Sequence, residues 1–308
     1  MIVGSRGQDG LLLSDLLRGK KYEVLGIAKP DSTARGSTGS VDIFSADAVH
    51  TFVKKFQPHE IYYLVAHHHS AQESMAESLN LESLSQLTHV DGLRHFLEAM
   101  LHSCPQSRLF YAASSLIFGN TKELLQNENT PFKPDTIYGK TKLSGLLLCR
   151  KYRTEHGIFA SSGILYNHES PLRSEKFVSQ KIIEAAVNIK KGVGRELVVG
   201  DLDVLTDWSY AGDFVEAMVK ILAAPAPDDF IVASGVGRSV REFIEVTFGL
   251  LGLKWQDFVK VDPGLVQRKK AILVGDAQKL KVATGWVPKT TFTDMIRIMI
   301  AAKGIVLE

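Results

Sequence analysis

Two serines, a tyrosine and a lysine are the residues whose types and spacing most clearly indicate chemistry. Ser114 and Ser115 end the run RLFYAASS, and Tyr138 precedes Lys142 by four residues in TIYGKTK. A spacing of four places the phenol and the ammonium on one face of a helix. Because an ammonium stabilises a nearby phenolate, we expect a lowered pKa for Tyr138 and a role as general acid or base. A nearby serine hydroxyl would hold the same substrate oxygen.

Three glycines near the N-terminus predict a dinucleotide site. Gly4, Gly7 and Gly10 follow the apolar run MIV at intervals of three. A turn from a strand into a helix must let the backbone approach a pyrophosphate closely, and the helix N-terminus then supplies amide donors. Glycine-rich turns are common, so the position of this one after a first strand is what makes it informative.

Alternating strand and helix patterns supply the scaffold for both groups of residues. Short β-branched or aromatic runs predict strands at MIV, YEVLGI, EIYYLVA, RLFYAAS and FASSGILY. The segments LLLSDLLRG and DGLRHFLEAM have the apolar spacing of helices. This alternation predicts an α/β fold with a doubly wound parallel sheet, covered by helices on both faces.

Composition narrows the class of protein. The chain has 308 residues, 45% of them hydrophobic, which suffices for one large α/β unit or for a nucleotide-binding domain with a smaller companion. Lysine and arginine number 36 against 34 acidic residues and form no stripe, so nucleic acid is not an expected partner. The two cysteines have no pairing pattern, and no apolar run reaches membrane-spanning length. We therefore expect a soluble cytoplasmic protein without a membrane partner.

Two further features bear on ligands. The second predicted strand ends without the acidic residue that selects NAD, and Lys29 stands there instead. Its charge favours the 2′-phosphate of NADP, with a solvated loop lysine as an equal alternative, and Asp42 is a candidate for the adenine side. His67, His68 and His69 would point to alternate faces of a strand and have no further ligand set nearby, so we expect no metal.

Motifs along nearly the whole chain carry a resemblance to a known family. They are GQDG, QPHEIYYLVA, VDGLRHFLEAM, TPFKPDTIYGKTK, NHESPLRSEKFVSQKI, DWSYAGDFVEAM, SVREFIE and GWVPKTTF. The chain resembles extended short-chain dehydrogenase/reductases of the NAD-dependent epimerase/dehydratase type and is most similar to the GDP-mannose 4,6-dehydratase family. The resemblance implies a Rossmann domain over residues 1–167, to which 208–236 return. It also implies a smaller C-terminal α/β domain over 168–207 and 237–308, which binds a nucleotide sugar.

The resemblance assigns roles to the catalytic segment. Tyr138 matches the acid/base that takes the proton of the sugar's 4-hydroxyl while hydride passes from carbon 4 to NADP. Lys142 matches its activator, and Ser114 matches the hydroxyl residue. In the family, a glutamate two residues after that hydroxyl residue assists the loss of water across carbons 5 and 6. Leu116 occupies this position here and cannot carry a proton, so elimination is not expected, whereas hydride transfer at carbon 4 remains available.

Binding residues are also implied by the resemblance. Leu205 and Thr206 stand where the family has Lys-Arg, and Lys269 and Lys270 replace a proline and a ribose-binding glutamate. A GDP group remains compatible with these residues, but they do not determine which base the nucleotide carries. The expected cofactor-binding residues are Gly4, Gly7, Gln8, Asp9, Gly10, Lys29, Asp42, Ile43, Leu64, Ala66, Tyr138, Lys142, Leu165, Asn167, His168 and Arg173. The expected substrate-binding residues are His68, Ser115, Asn167, Lys181 and Arg268.

Three functions remain open at this point. The first is an NADP-dependent oxidoreductase, with NAD as the other candidate cofactor, acting at carbon 4 of a GDP-linked hexose as 4-ketoreductase or epimerase. The second is a GDP-mannose 4,6-dehydratase in which another group, such as Glu73, replaces the missing glutamate. The third is a non-catalytic NADP sensor or scaffold. The resemblance further implies a role in polysaccharide biosynthesis and a homodimer or homotetramer through the helices DGLRHFLEAM and YGKTKLSGLLLCRKY, whose apolar stripes could equally face the protein's own core.

Overall fold

The computed structural model describes residues 1–28, 40–67, 75–265 and 272–307, except for the side chains of 75–80. Its strands are β1 (Ile2–Val3), β2 (Gly26–Ile27), β3 (Glu60–Tyr63), β4 (Arg108–Ser114), β5 (Phe159–Leu165), β6 (Asn167–Glu169), β7 (Leu197–Val199), β8 (Leu205–Tyr210), β9 (Asp229–Val232), β10 (Gly237–Ser239) and β11 (Val259–Val261). Its α-helices are α1 (Gln8–Gly19), α2 (Ala46–Phe56), α3 (Met75–Gln86), α4 (Gly92–Ser103), α5 (Ile137–His156), α6 (Val178–Lys190), α7 (Ala211–Ala223), α8 (Val240–Leu250), α9 (Gln278–Thr284) and α10 (Phe292–Ala301). A π-helix over Leu87–Asp91 joins α3 to α4, and a 3-10 turn over Ser115–Ile117 follows β4.

A six-stranded parallel sheet in the order β2-β1-β3-β4-β5-β9 organises the first part of the chain. The predicted doubly wound α/β fold is confirmed. β4 spans RLFYAAS as predicted, whereas YEVLGI pairs only through Gly26 and Ile27. The reason is that β1 offers only Ile2 and Val3 as partners, so the earlier residues of YEVLGI have nothing to pair with.

The sheet brings the predicted chemical groups to one edge. In a parallel sheet the carboxyl ends of all strands meet at the same edge, and ligands bind where the strand order reverses, here between β1 and β3. Gly4 follows β1, Leu64 follows β3 and Ser114 ends β4. The glycine turn and the serine therefore lie at the same edge as the reversal point.

Two separate clusters of buried apolar side chains form the cores. The first is built on the six-stranded sheet and includes Phe214 of α7 and, from near the C-terminus, Leu280 and Trp286. The second joins α6, α8 and α10 around Trp208 and Phe243. Two small sheets accompany it, in the orders β10-β8-β6 and β11-β7. The domain boundaries drawn from the sequence stay a prediction, although Leu280 and Trp286 pack in the first core and not with the rest of 237–308.

A buried ion cluster links α5 to β9, the outermost strand on one side of the six-stranded sheet. The Asp229 carboxylate, at the start of β9, accepts hydrogen bonds from the guanidinium groups of Arg150 and Arg153 on α5, and its side chain is 2% exposed. The pair between Asp203 and Arg241 has similar geometry, at 3.0 Å, but lies at the surface. The first cluster is therefore expected to matter far more for stability than the second.

Three further properties concern the described part of the chain. Both cysteines, Cys104 and Cys149, are buried and not joined to each other. None of the helices in the described ranges is both long enough and apolar enough to cross a membrane. Nor does any group of three histidine, cysteine, aspartate or glutamate side chains in these ranges have the arrangement of a metal site.

Candidate active site

The glycine turn joins β1 to α1. Gly4 has a φ of 93°, and a Cβ on it would lie 3.0 Å from the backbone nitrogen of Val65. A Cβ on Gly10 would lie 2.3 Å from the Gly4 carbonyl oxygen, so α1 packs directly on the turn. Gly7 is the N-cap of α1, and the nearest atom to a Cβ there is 3.5 Å away. The chain's own packing explains Gly4 and Gly10, whereas Gly7 leaves the N-terminus of α1 accessible to a pyrophosphate.

Gln8 and Asp9, in the first turn of α1, are bound to residues far away in sequence. The Gln8 side-chain amide donates to the carbonyl oxygen of His168 at 3.1 Å and accepts the Ser170 hydroxyl at 2.8 Å. The Asp9 carboxylate lies 3.0 Å from Nε2 of His168. Their predicted cofactor contacts stay a prediction; in the structure, both side chains connect the glycine turn to β6.

Asp9 and His168 form a charged pair. Nδ1 of His168 lies 2.7 Å from the Tyr166 carbonyl oxygen, so both ring nitrogens face acceptors, as suits a protonated imidazolium. Burial alone would lower the pKa of His168, but the charge and hydrogen bond of Asp9, together with the Tyr166 carbonyl, outweigh it and the pKa is raised. Burial would likewise raise the pKa of Asp9, but the charge and hydrogen bond of His168, together with Gln8 and Arg173, outweigh it and the pKa is lowered. The imidazole also stacks on Phe214, with ring centroids 4.6 Å apart.

Tyr138 and Lys142 lie on successive turns of α5, as the spacing predicts. The Lys142 Nζ is 5.7 Å from the centre of the Tyr138 ring. It donates to the carbonyl oxygen of Ala112 at 2.8 Å and to that of Val65 at 3.4 Å, and the residue is only 1% exposed. The ammonium is thus held by backbone carbonyls of β4 and of the segment after β3, close to the Tyr138 ring.

The pKa of Tyr138 is shifted opposite to the direction predicted from the Tyr-Lys pair alone. Burial raises the pKa of Tyr138 to about 12, although the nearby charge of Arg173 opposes the shift. Burial also lowers the pKa of Lys142 to about 7, against the effect of Asp9. Desolvation outweighs charge pairing here because Lys142 is buried and Tyr138 is half-buried against it. The phenol is therefore protonated at neutral pH.

Ser114, Ser115 and Leu116 occupy the turn at the end of β4. The Ser114 hydroxyl accepts the N–H of Leu116 at 3.3 Å and so caps the turn, while Ser115 is buried. A Cβ on Gly139 would lie 2.5 Å from the Leu116 carbonyl oxygen, so this turn packs against the backbone next to Tyr138. Leu116 therefore lies against the helix turn that carries Tyr138.

Arg173 adds a positive charge to the same region. Its guanidinium lies 3.6 Å from the centre of the Phe177 ring and 3.4 Å from the Glu169 carboxylate. Its charge opposes the rise in the pKa of Tyr138 and helps to lower that of Asp9, which places it near both groups. The predicted role in cofactor binding is compatible with this position and stays a prediction.

The other residues of the predicted sites are distributed as follows. Asp42 is exposed and its carboxylate accepts the N–H of Phe44 at 3.0 Å, and the carbonyl of Ile43 faces Nδ1 of His95 at 2.9 Å. Leu64 and Ala66 follow β3, Leu165 ends β5, and exposed positions are occupied by Asn167 and Lys181. Lys29, His68, Glu73 and Arg268 lie outside the described residues.

His89 belongs to the site but was not identified from the sequence. It lies in the π-helix, is completely buried, and its ring packs edge-on against the Tyr138 ring at 5.2 Å. A lone histidine in QLTHVDG has no spacing pattern, and a π-helix is not indicated by apolar periodicity. The only available signal was its location just before the predicted helix DGLRHFLEAM.

Fold and site together define a class: Rossmann-fold proteins with a dinucleotide turn and a Tyr-Lys pair beside a strand-end serine, the short-chain dehydrogenase/reductase arrangement. Comparison with a family model described as "GDP-mannose 4,6 dehydratase" gives a match over residues 1–299. The protein "GDP-mannose 4,6 dehydratase 2" of Arabidopsis thaliana is 35% identical over 323 aligned residues, covering 97% of this chain and 85% of that protein. The "GDP-mannose 4,6-dehydratase" of Sinorhizobium fredii is 32% identical, covering 96% and 93%. The chain belongs to the GDP-mannose 4,6-dehydratase family.

Solved structures share the fold. A putative epimerase from Burkholderia cenocepacia superposes with a TM-score of 0.85 at 21% identity, covering 99% of this chain and 97% of that one. The structure of RMD from Pseudomonas aeruginosa complexed with NADPH gives a TM-score of 0.79 at 21% identity, covering 98% and 97%. A dTDP-glucose 4,6-dehydratase from Bacillus anthracis in complex with NAD gives 0.81 at 17% identity, covering 98% and 95%.

Proposed function

We propose that this member of the family is an NADP-dependent oxidoreductase that acts at carbon 4 of a GDP-linked hexose, as a 4-ketoreductase or an epimerase. The observation that carries the proposal is Leu116, whose carbonyl packs against the helix turn bearing Tyr138. Elimination of water requires a group that moves a proton at carbon 5. A leucine side chain has no such group, and the loss of a general acid or base typically costs roughly 10²- to 10⁴-fold in rate.

Tyr138 is protonated at neutral pH, as a proton donor for the reductive direction must be. When bound, a reduced nicotinamide cofactor supplies the hydride for carbon 4. Tyr138 donates its phenolic proton to the carbonyl oxygen as that oxygen gains charge, and the Ser114 hydroxyl donates a hydrogen bond to the same oxygen. Lys142 then stabilises the phenolate that remains. An epimerase would use the same groups in both directions.

The residues present fit a dinucleotide. A Cβ on Gly7 would have no other atom of the chain closer than 3.5 Å, so the backbone at the start of α1 can approach a pyrophosphate. Lys142, next to Tyr138, would face the ribose and nicotinamide end. The solved structures of RMD from Pseudomonas aeruginosa and of the Bacillus anthracis dehydratase contain NADPH and NAD respectively. NADP is proposed because the second predicted strand ends without the acidic residue that selects NAD. Binding of a nucleotide sugar, and assembly as a homo-oligomer, are proposed on family membership.

A second candidate, a 4,6-dehydratase with a substitute acid/base, is favoured by the similarity to relatives with that name. The two are separated by supplying the purified protein with GDP-mannose and NADP, and separately with a GDP-4-keto-hexose and NADPH. Mass spectrometry of the sugar nucleotide detects the loss of one water in the first reaction. Absorbance of the reduced cofactor follows the second.

We expect NADPH consumption with the 4-keto sugar, a gain of two hydrogens in the product, and no water loss from GDP-mannose. Tyr138→Phe should abolish turnover, by at least about 10²-fold, while cofactor binding remains. A protein that only senses NADP would lose nothing measurable in this variant. Water loss by the parent, abolished in Tyr138→Phe, would contradict the proposal. Leu116→Glu tests the position itself: in a reductase it should create no dehydratase activity.

A further inference from the structure

His89 connects two elements that meet at the active site. It lies in the π-helix Leu87–Asp91, whose widened turn lets the Thr88 carbonyl accept the Tyr63 hydroxyl at 2.6 Å. A Cβ on Gly145 would lie 2.8 Å from the His89 carbonyl oxygen, so α5 packs on the π-helix at backbone distance. Such π-turns recur at functional sites. Here the turn directs a completely buried imidazole towards α5.

The partners of the imidazole fix its protonation. Nε2 lies 3.0 Å from the backbone nitrogen of His67, which can only donate, so Nε2 must be the acceptor. Nδ1 lies 2.8 Å from Oγ1 of Thr141. Nδ1 of a neutral ring then carries the proton and donates it to Thr141, whose hydroxyl donates in turn to the Ile137 carbonyl at 3.0 Å. The hydrogen bonds define a neutral ring with its proton on Nδ1.

This chain of hydrogen bonds ends in the helix turn that carries Tyr138. Thr141 lies three residues after Tyr138 and directly before Lys142 on α5. The His89 ring also meets the Tyr138 ring edge-on, at 5.2 Å between centroids and an interplanar angle of 84°. One buried side chain therefore touches the phenol, the first turns of its helix and the residues that follow β3. Small errors in the placement of an acid/base are costly, roughly 10²-fold in rate for 1 Å.

We propose that His89 is a positioning residue for proton transfer by Tyr138, an inference that rests on the proposed function. As the Nδ1–H tautomer it holds the start of α5 through Thr141 and fixes the plane of the phenol. It makes no contact with the substrate. Its effect is therefore on kcat and not on the binding of the sugar.

Two isosteric substitutions separate its two hydrogen bonds. In His89→Asn, the amide nitrogen takes the place of Nδ1 and can still donate to Thr141. In His89→Gln, the amide oxygen takes the place of Nε2 and can still accept from His67, but the donor to Thr141 is lost. Thr141→Val removes the acceptor while keeping the shape. Thr154→Val is the matched control, since its hydroxyl also bonds to a carbonyl of α5 but lies exposed, far from Tyr138.

We expect His89→Gln and Thr141→Val each to lower kcat by roughly 10- to 100-fold, with the KM for the 4-keto sugar changed less than about threefold. His89→Asn should retain most of kcat, and Thr154→Val all of it. Because His89→Gln and Thr141→Val break the same hydrogen bond, the double variant should have a kcat no lower than that of the less active single variant. Assays are made below the melting temperature of every variant. Unchanged kcat in His89→Gln and Thr141→Val, equal losses in the Asn and Gln variants, or additive losses in the double variant would overturn the inference.

A measurement that needs no turnover distinguishes failure of this inference from failure of the proposed function. Nitrogen-15 long-range correlation spectra of histidine-labelled protein report which ring nitrogen carries the proton, and His89→Gln assigns the signal. A proton on Nδ1, with a shift that changes in Thr141→Val, supports the inference even if the parent does not reduce a 4-keto sugar. A proton on Nε2 overturns it, whatever the activity.

Discussion

Gly10→Ala tests whether α1 is packed on the glycine turn as tightly as the structure indicates. The new Cβ would lie 2.3 Å from the Gly4 carbonyl oxygen and 2.7 Å from Cα of Ser5. The first distance is about 1 Å below an ordinary contact of 3.4 Å, and both neighbours are backbone atoms that no rotamer change can move away. α1 must therefore move by about 1 Å. Overpacking of this kind costs about 1–3 kcal/mol.

Two assays follow from that shift. The melting temperature should fall by about 2–12 °C, since 1 kcal/mol corresponds to about 2–4 °C in proteins of 150–250 residues. The Kd for NADPH, measured by quenching or enhancement of its fluorescence, should rise at least about tenfold, because the amides at the start of α1 move away from the pyrophosphate.

Gly19→Ala is the matched control at the other end of α1. No atom lies within 4 Å of a Cβ at Gly19, so the same substitution meets open space. It should leave the Kd unchanged and stabilise the protein by up to about 1 kcal/mol, through the lower entropy of the unfolded chain. If Gly10→Ala instead matched the parent in both melting temperature and Kd, the close packing inferred for α1 would be refuted.

Two further predictions concern buried charges. Asp9→Asn should destabilise the protein most at pH values between the ordinary pKa of an aspartate, 3.8, and that of a histidine, 6.5. Because the pKa of Asp9 is lowered, the stability that Asp9 contributes is lost as the pH falls through the pKa of Asp9 in the folded protein. Because the pKa of His168 is raised, the stability that His168 contributes is lost as the pH rises through the pKa of His168 in the folded protein. Melting temperatures measured from below pH 3.8 to above pH 6.5 would show a constant difference from the parent if the pair were absent. Asp229→Asn should cost about 3 kcal/mol in urea unfolding, because it removes the buried carboxylate that pairs with two arginines of α5, whereas the exposed Asp203→Asn should cost less than about 1 kcal/mol. Equal losses in the free energy of unfolding of these two variants would contradict the expectation that the buried carboxylate contributes more to stability than the exposed one.

The sequence was sufficient for the fold and for the residues that local spacing defines. Strand and helix alternation predicts the parallel sheet, and a spacing of four predicts that Tyr138 and Lys142 share a helix face, because both patterns act over short distances. The strand end with Ser114 follows from the same logic. Leu116 is assigned to the site only through the family resemblance; its carbonyl packs against Gly139, and the role of the position stays a prediction.

The remaining features depend on contacts that no local pattern encodes. Asp9 and His168 are 159 residues apart, so their pairing appears only when the chain is folded. The upward shift in the pKa of Tyr138 arises from burial, which depends on every element packed around the phenol. His89 reaches Thr141 because a π-helix changes its direction, and helical periodicity assumes a regular turn.

The two carbonyls that accept hydrogen bonds from Lys142 also limit how many N–H groups the amine can donate to other partners. A charged ammonium has three N–H groups, and the carbonyls of Ala112 and Val65 engage two of them, which leaves a third for another acceptor. Burial places the pKa of Lys142 at about 7, so the amine gains or loses that third proton within the physiological range. The positive charge beside Tyr138 is therefore expected to weaken as the pH rises through about 7, and with it the stabilisation of a phenolate.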